Sequence, residues 1–128
     1  MPAQSLVEWG VTARVRVRRD EVGDELVLGR RGSIHAFGPG RFAARYMPGP
    51  PDRPKRWAHA RRRLLAAGCR LLQDGDHEGN VEFDPGSPGQ VAVVLRVLGV
   101  RRRKATFGVS RAVPWLFSRS TPAEAPPP

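Results

Sequence analysis

Apolar and polar residues alternate most regularly over residues 11–19. The apolar positions are Val11, Ala13, Val15 and Val17, and the polar positions between them are Thr12, Arg14, Arg16 and Arg18. A period of two is typical of a β-strand with one buried face, because successive side chains of a strand point to opposite faces. The pattern therefore predicts a strand with an apolar face and a basic face that carries the three arginines.

Three further strands are predicted between residues 20 and 46. The turn-forming stretch 20–24 leads into the apolar segment 25–28, and residues 29–32 then interrupt the pattern. Segments 33–37 and 41–46 flank Gly38-Pro39-Gly40, which combines the backbone freedom and the fixed proline φ that a hairpin loop uses. Together these segments predict a four-stranded antiparallel meander with one apolar face and one partly basic face.

A basic helix is predicted after the proline-rich break at residues 48–51. Asp52 is placed to cap the helix, and Gly68 is placed to end it. The apolar positions keep helical spacing and are Trp57, Ala60, Leu64, Ala67 and Leu71. No acid lies among the basic residues of the remaining surface, which are Arg53, Lys55, Arg56, Arg61, Arg62 and Arg63.

A small hairpin and a second helix complete the predicted fold. The hairpin joins residues 69–73 to residues 80–84, with Val81 and Phe83 facing inward. The sequence Ser87-Pro88-Gly89-Gln90 has the form of a capping box with proline at the first helical position, and Gly99 suits a left-handed helix stop. The core stripe of this helix is Val91, Val94, Leu95 and Leu98. The fold class is therefore α+β, with all elements around a single core.

The C-terminal part of the chain has a different character. Residues 105–117 are irregular in pattern, but Trp115, Leu116 and Phe117 are apolar enough to dock on the body or on a protein partner. The proline-rich residues 118–128 are expected to be a disordered tail. We therefore expect one basic α+β domain over residues 1–117.

Composition bounds the location and chemistry of the protein. No apolar run is long enough to span a bilayer and the N-terminus lacks the apolar core of a signal peptide, so we expect a cytoplasmic protein without a membrane partner. The single cysteine, Cys69, has no partner for a disulfide or a cysteine metal site, and we expect a small core residue there. No phosphate-binding loop, dinucleotide fingerprint or nucleophile motif occurs, and no cofactor is predicted.

The charge of the chain favours nucleic acid as a partner. The formal net charge is +10, with 22 basic residues against 12 acids. Such an excess attracts polyanions through phosphate neutralisation and counterion release. The alternative is that the arginine excess is compositional, as a GC-rich genome would produce on any exposed surface. Sign and clustering therefore carry more information than the choice of arginine over lysine.

Three basic clusters are the candidate phosphate-contacting residues. They are the strand residues Arg14, Arg16 and Arg18, the helical residues Arg53, Lys55, Arg56, Arg61, Arg62 and Arg63, and the segment Arg101, Arg102, Arg103 and Lys104. If they converge on one side they form a groove that follows a phosphate backbone, and if they diverge they only solubilise the protein. Arg30 lies outside all three clusters.

One stretch resembles a known class of domain. Two predicted strands followed by a helix resemble the DNA-binding domains of phage integrases, which consist of a three-stranded sheet and a helix. The strand segments that carry the resemblance are Gly32-Ser33-Ile34 and Gly40-Arg41-Phe42-Ala43-Ala44-Arg45-Tyr46. The resemblance covers about a quarter of the chain. It implies that Arg41 and Arg45 would meet the major groove of DNA.

Two other functions are alternatives to nucleic-acid binding. A non-enzymatic protein-interaction module would use Trp115, Leu116 and Phe117 and carry its charge as background. A metal-dependent nuclease would use the acidic loop, with Asp74, Asp76, His77 and Glu78. The loop also partly matches a calcium-binding pattern, but Pro85 stands where the bidentate glutamate should be, so we expect a polar hairpin loop and no metal site.

Overall fold

The computed structural model describes residues 4–49 and 54–103. Over these residues the chain forms three helices and six strands, which confirms the α+β class. Their order is α1 (Leu6–Ala13), β1 (Arg18–Arg19), β2 (Glu25–Gly29), β3 (Gly32–Gly38), β4 (Arg41–Tyr46), α2 (Pro54–Ala66), β5 (Arg70–Asp74), β6 (Gly79–Phe83) and α3 (Pro88–Leu98). The predicted Asp52 cap, the docking segment 105–117 and the tail 118–128 lie outside the described residues.

The prediction of a strand over residues 11–19 is wrong for most of its length. Residues 11–13 end α1, residues 15–17 belong to no strand, and only residues 18–19 pair as β1. A full capping box begins α1, because the Ser5 hydroxyl accepts from the Glu8 amide at 3.1 Å and the Glu8 carboxylate accepts from the Ser5 amide at 2.8 Å. Arg14 ends the helix in the left-handed region, with φ at +61°. The three arginines at 14, 16 and 18 therefore do not share one strand face.

The strands form one antiparallel sheet in the order β1-β2-β3-β4-β6-β5. The predicted meander is present as β1 to β4, with a much shorter first strand. The predicted small hairpin is not a separate unit, because β6 pairs directly with β4 and extends the sheet to six strands. The chain leaves β4 through α2, enters the sheet at its edge as β5, and returns as β6 between β4 and β5.

The core lies on one face of this sheet. Trp9 of α1 packs its ring 5.4 Å from that of Phe42 and 5.7 Å from that of Phe83, and Trp57 of α2 stacks on Tyr46 at 5.7 Å. Buried residues of α3 belong to the same cluster. All three described helices therefore cover the same side of the sheet. No helix of residues 4–49 and 54–103 lies on the opposite side, which we call the helix-free face.

The helix α3, which follows the hairpin in the predicted fold, agrees closely with its sequence signals. Ser87 caps α3 by accepting from the Gln90 amide, and Gly99 ends it with φ at +71°. The side chain of Gln90 departs from the capping-box pattern, since it accepts from the Asp84 amide at 2.7 Å instead of from Ser87. Every predicted core position of α3 is buried. No helix in the described part of the chain is long and apolar enough to cross a membrane.

Candidate phosphate-binding cleft

The helix α2 supplies one wall of a cationic cleft. Lys55, His59 and Arg63 are spaced by four residues, which places them along one side of the helix, and Arg56 lies beside them. Trp57, Ala60 and Leu64 of the predicted stripe are buried, and this burial fixes which side of α2 faces outward. Leu71, predicted in the same stripe, is instead an exposed residue of β5, because the helix ends at Ala66. The helix therefore holds its row of positive charges in a fixed orientation.

The turn between β2 and β3 supplies the second wall. The Arg31 amide donates to the Leu98 carbonyl at 2.8 Å, and the Arg30 amide donates to the Gly99 carbonyl at 3.3 Å. This close approach of the turn to the end of α3 requires glycine at position 29, where a Cβ would collide with the Leu98 carbonyl oxygen. The backbone thus fixes the turn to the C-terminal end of α3.

Arg31 has a second role at the same place. Its guanidinium donates to the Val97 carbonyl at 2.8 Å and to the Arg96 carbonyl at 2.9 Å. The last carbonyls of a helix have no partner inside the helix and carry its negative dipole end, so a guanidinium stabilises them. Arg31 therefore links the turn to α3 by its side chain as well as its backbone.

These elements together enclose an open cleft of about 1110 Å³. Its charged lining residues are all cationic: Arg30, Arg31, Lys55, Arg56, Arg63 and Arg96. The remaining lining includes His59 and the apolar groups of Tyr46, Pro48, Ala60 and Val97. In the described part of the chain, no carboxylate lines this cleft and none forms a salt bridge with its cations. We call this feature the cationic cleft.

His59 lines the cationic cleft and contacts Arg62. Its Nδ1 lies 3.3 Å from an Arg62 guanidinium nitrogen, which can only donate, so Nδ1 accepts in this arrangement.

The other two arginines of the predicted helical cluster lie outside the cationic cleft. Arg62 contacts His59, and the Arg61 guanidinium donates to the Asp74 carboxylate at 2.7 Å. The second oxygen of Asp74 accepts from the Trp57 indole at 2.7 Å. These bonds, the one from Trp57 first, hold the pKa of Asp74 below its usual value. Arg53, predicted in the same cluster, lies outside the described residues.

Apart from the cationic cleft, two of the predicted basic segments contact each other, the one that contains Arg14 and the one that contains Arg103. The Arg103 amide donates to the Arg14 carbonyl at 2.7 Å, and the Arg14 guanidinium donates to the Arg103 carbonyl at 3.2 Å. The side chains of Arg101 and Arg102 are exposed beside this contact. We call Arg14 and residues 101–103 the second basic cluster. Lys104, predicted as part of the same segment, lies outside the described residues.

Arg41 and Arg45 lie on the helix-free face. Arg41 donates twice to the Glu82 carboxylate, at 3.0 Å each, and its guanidinium lies 4.6 Å from the centre of the Phe37 ring. Arg70 donates to the same carboxylate at 2.7 Å. The two guanidiniums lower the pKa of Glu82 to about 2, since both stabilise its charged form.

Positive charge is therefore less concentrated on the helix-free face than in the cationic cleft. His35 lies on the helix-free face, and burial and the charge of Arg45 lower the pKa of its imidazole. Arg18 also lies on the helix-free face. Its partner in the pairing of β1 with β2 is Leu26, and Leu26 lies on the same side of the sheet as Leu28.

The acidic loop forms the turn between β5 and β6. Both oxygens of the Asp74 carboxylate are engaged with Trp57 and Arg61, and the structure describes no group of three or more histidine, cysteine or acidic residues that could hold a metal ion. Cys69 is buried, as the sequence predicted, and burial raises the pKa of its thiol to about 11.

Sequence reasoning missed three residues of the cationic cleft: Arg30, Arg31 and Arg96. Arg30 and Arg31 interrupt two strands, and Arg96 stands alone on an apolar helix, so none forms a cluster along the chain. Only the docking of the turn on α3 brings them beside α2. The one local signal was Gly29 and Gly32, because paired glycines around a turn often mark close backbone contact.

No protein-family model matches this chain, and neither a curated protein nor a solved structure matches it.

Proposed function

We propose that the protein binds nucleic acid by gripping phosphates in the cationic cleft, with little reading of base sequence. The observation that carries this proposal is the convergence of six permanent cations from three separate elements without a described carboxylate among them. Lysine and arginine contacts to phosphates supply most of the affinity in non-specific nucleic-acid binding. A cleft of this kind has the charge that such binding requires.

The distribution of charge argues against a purely compositional origin. The chain has 22 basic residues and 12 acids. Six charged residues taken without regard to sign would therefore include about two acids, and the described lining of the cationic cleft includes none. Genome composition can raise the number of arginines, but it does not sort them from acids in space.

The small number of exposed aromatic side chains favours contact with the nucleic-acid backbone over stacking on the bases. Within residues 4–49 and 54–103, Phe37 is the only strongly exposed aromatic residue, at 44% of its surface, and its ring lies under Arg41 on the helix-free face. Single-strand binders commonly stack bases on exposed aromatic rings. The cationic cleft offers phosphate contacts without such a platform among the described residues, so we infer low sequence specificity.

The helix-free face is the competing surface, as the resemblance to integrase domains implies. Its Arg41 and Arg70 already share Glu82, and an anion would have to compete with that carboxylate. Lys55, Arg56 and Arg63 have no such competitor in the described structure. The cationic cleft is therefore the stronger site for phosphate.

The two alternatives have less support. The interaction module depends on Trp115, Leu116 and Phe117, which lie outside the described residues. The nuclease depends on carboxylates of which Asp74 is already bonded on both oxygens.

Two variants of equal charge test the proposal. Arg56→Gln/Arg63→Gln removes two exposed cations from the cationic cleft, and Arg18→Gln/Arg45→Gln removes two exposed cations from the helix-free face. None of the four side chains has a hydrogen-bond partner among the described residues. The fold should therefore survive both changes.

Binding is measured by fluorescence anisotropy with mixed-sequence duplex DNA, single-stranded DNA and RNA over a range of salt concentrations. The cleft variant should bind more weakly, and its plot of log affinity against log salt should flatten by up to about 0.9 for each lost contact to a DNA duplex. The face variant should lose only the small part that follows net charge. Equal losses would show that binding follows net charge alone, and a wild-type chain that binds none of the three ligands at moderate salt would refute the proposal.

A further inference from the structure

The second basic cluster is joined to the cationic cleft by five residues of backbone. The Gly99 carbonyl accepts from the Arg30 amide at the edge of the cationic cleft, and the Arg103 amide donates to Arg14 in the second basic cluster. Four peptide steps separate these two anchors, so their Cα atoms lie no more than about 14 Å apart. Both ends of this short segment are fixed to the body of the protein by hydrogen bonds.

The segment itself is built to expose its charges. Val100 is half-buried against the core, whereas residues 101–103 are exposed. Arg103 is fixed through its backbone, so its side chain is not used in that contact. The side chains of Arg101 and Arg102 have no hydrogen-bond partner among the described residues. Three successive cations therefore lie exposed directly beyond one wall of the cationic cleft.

We infer that the second basic cluster and the cationic cleft form one continuous track for a phosphate backbone, crossing the C-terminal end of α3. This inference rests on the proposed function and specifies its ligand: a nucleic-acid chain long enough to reach both places. One strand of a duplex advances about 3.4 Å per nucleotide, so about four nucleotides cover the connecting segment alone. A ligand with a single phosphate can occupy only one of the two places at a time, whereas a longer nucleic-acid chain can occupy both.

Arg31 makes such a crossing electrostatically favourable. The C-terminal end of a helix is a region of negative potential that repels phosphate. Here the guanidinium of Arg31 binds the last carbonyls of α3, and Arg96 adds a second charge in the final turn. The end of α3 therefore presents positive charge along the line that joins the two places.

The test varies two things: the length of the nucleic-acid ligand and the surface from which positive charge is removed. Arg101→Gln/Arg102→Gln removes two cations from the second basic cluster, and Arg18→Gln/Arg45→Gln removes the same charge from the helix-free face. Both full-length variants are titrated with single-stranded DNA of about 2 nucleotides, which has one phosphate between its nucleosides, and of about 16 nucleotides, where each lost contact should lower the salt slope by about 0.7. The cluster variant should match wild type on the short ligand and lose affinity and slope on the long one.

The outcomes separate this inference from the proposed function. If the cluster variant and the face variant lose the same affinity on the long ligand while wild type binds well, the track is refuted and the cationic cleft stands alone. If the cluster variant loses as much on the short ligand as on the long one, its arginines belong to the same contact as the cleft, and the two-place track is again refuted. If wild type binds neither ligand, the proposed function itself fails.

Discussion

Replacing Arg31 with glutamine should lower the stability of the protein, whereas replacing Arg30 should not. The Arg31 side chain makes two charge-assisted hydrogen bonds to α3 carbonyls, at 2.8 and 2.9 Å, and is only half-exposed. Arg30 is exposed and its side chain has no hydrogen-bond partner in the described structure. Both substitutions remove one unit of charge from the cationic cleft.

The magnitude follows from those two bonds. Each hydrogen bond to a charged group contributes about 1.5–3 kcal/mol to the free energy of unfolding. Partial exposure of Arg31 reduces the contribution of both bonds, so Arg31→Gln should lower the free energy of unfolding by roughly 1–3 kcal/mol in all. For a chain of this size each kcal/mol lowers Tm by roughly 3–5 °C. Arg30→Gln should change the free energy of unfolding by no more than about 0.5 kcal/mol.

Arg31→Lys separates the two roles of this side chain. Lysine keeps the charge but lacks the planar fork that reaches two carbonyls at once. It should retain most of the affinity for nucleic acid and lose much of the stability. Thermal and urea unfolding followed by circular dichroism measure stability, and anisotropy measures binding. Equal stability of Arg31→Gln and Arg30→Gln would show that the bonds to α3 contribute nothing.

Three further predictions concern the body of the protein. Glu82 has a pKa lowered to about 2 by its two arginine partners, so its stabilising effect is complete above pH 4.5 and is lost as pH falls toward 2; the Tm difference between wild type and Glu82→Gln should shrink over that range. Gly79→Ala should cost about 1–3 kcal/mol in urea unfolding because a Cβ there collides with the Trp57 ring, whereas Gly89→Ala, with open space around it, should gain up to about 1 kcal/mol. The Cys69 thiol, with a pKa of about 11, should react with a disulfide reagent at pH 8 only after unfolding; rapid reaction in the folded protein would contradict its burial.

Elements with local signals were predictable from the sequence. The hairpin of β3 and β4 turns at Gly38-Pro39-Gly40, where Gly40 has φ at +68°, and α3 runs between its predicted cap and stop. In each case the residues that decide the structure lie within one turn of the place they decide. The core positions Trp57, Ala60 and Leu64 of α2 were predicted for the same reason, since their spacing alone selects the buried side of the helix. Leu71, which keeps the same spacing, lies beyond the end of the helix.

The first helix shows how a local pattern can mislead. Residues 11–17 alternate as a strand would, but Val11 is 76% exposed, whereas Trp9 and Ala13, four residues apart, are buried. The helix is short, and only two of its turns reach the core, so strand and helix periods fit the same few residues. The capping box at Ser5 and Glu8 carried the deciding signal, because it satisfies backbone donors only in a helix.

The cationic cleft was predictable only in part. The row of basic residues on α2 is a local pattern that can be recognised in the sequence. Arg31 meets Arg96 and Val97 across 65 and 66 positions of sequence, and that contact depends on two glycines allowing the turn to approach α3. No pattern along the chain encodes such a pairing, so Arg30 stood outside every predicted cluster although it lines the cleft.

The salt bridges of the molecule show where its net charge becomes effective. The described residues contain four, and they join Glu25 to Arg19, Glu82 to both Arg41 and Arg70, and Asp74 to Arg61. All four lie outside the cationic cleft and the second basic cluster. The acids thus neutralise arginines on the sheet and on the outer side of α2, and leave the excess charge where turn, α2 and α3 meet. Repulsion among those cations opposes the compact state, and an anion that binds there removes this cost. A bound polyphosphate should therefore raise the Tm of the wild-type protein more than that of Arg56→Gln/Arg63→Gln, in which less repulsion remains to be relieved.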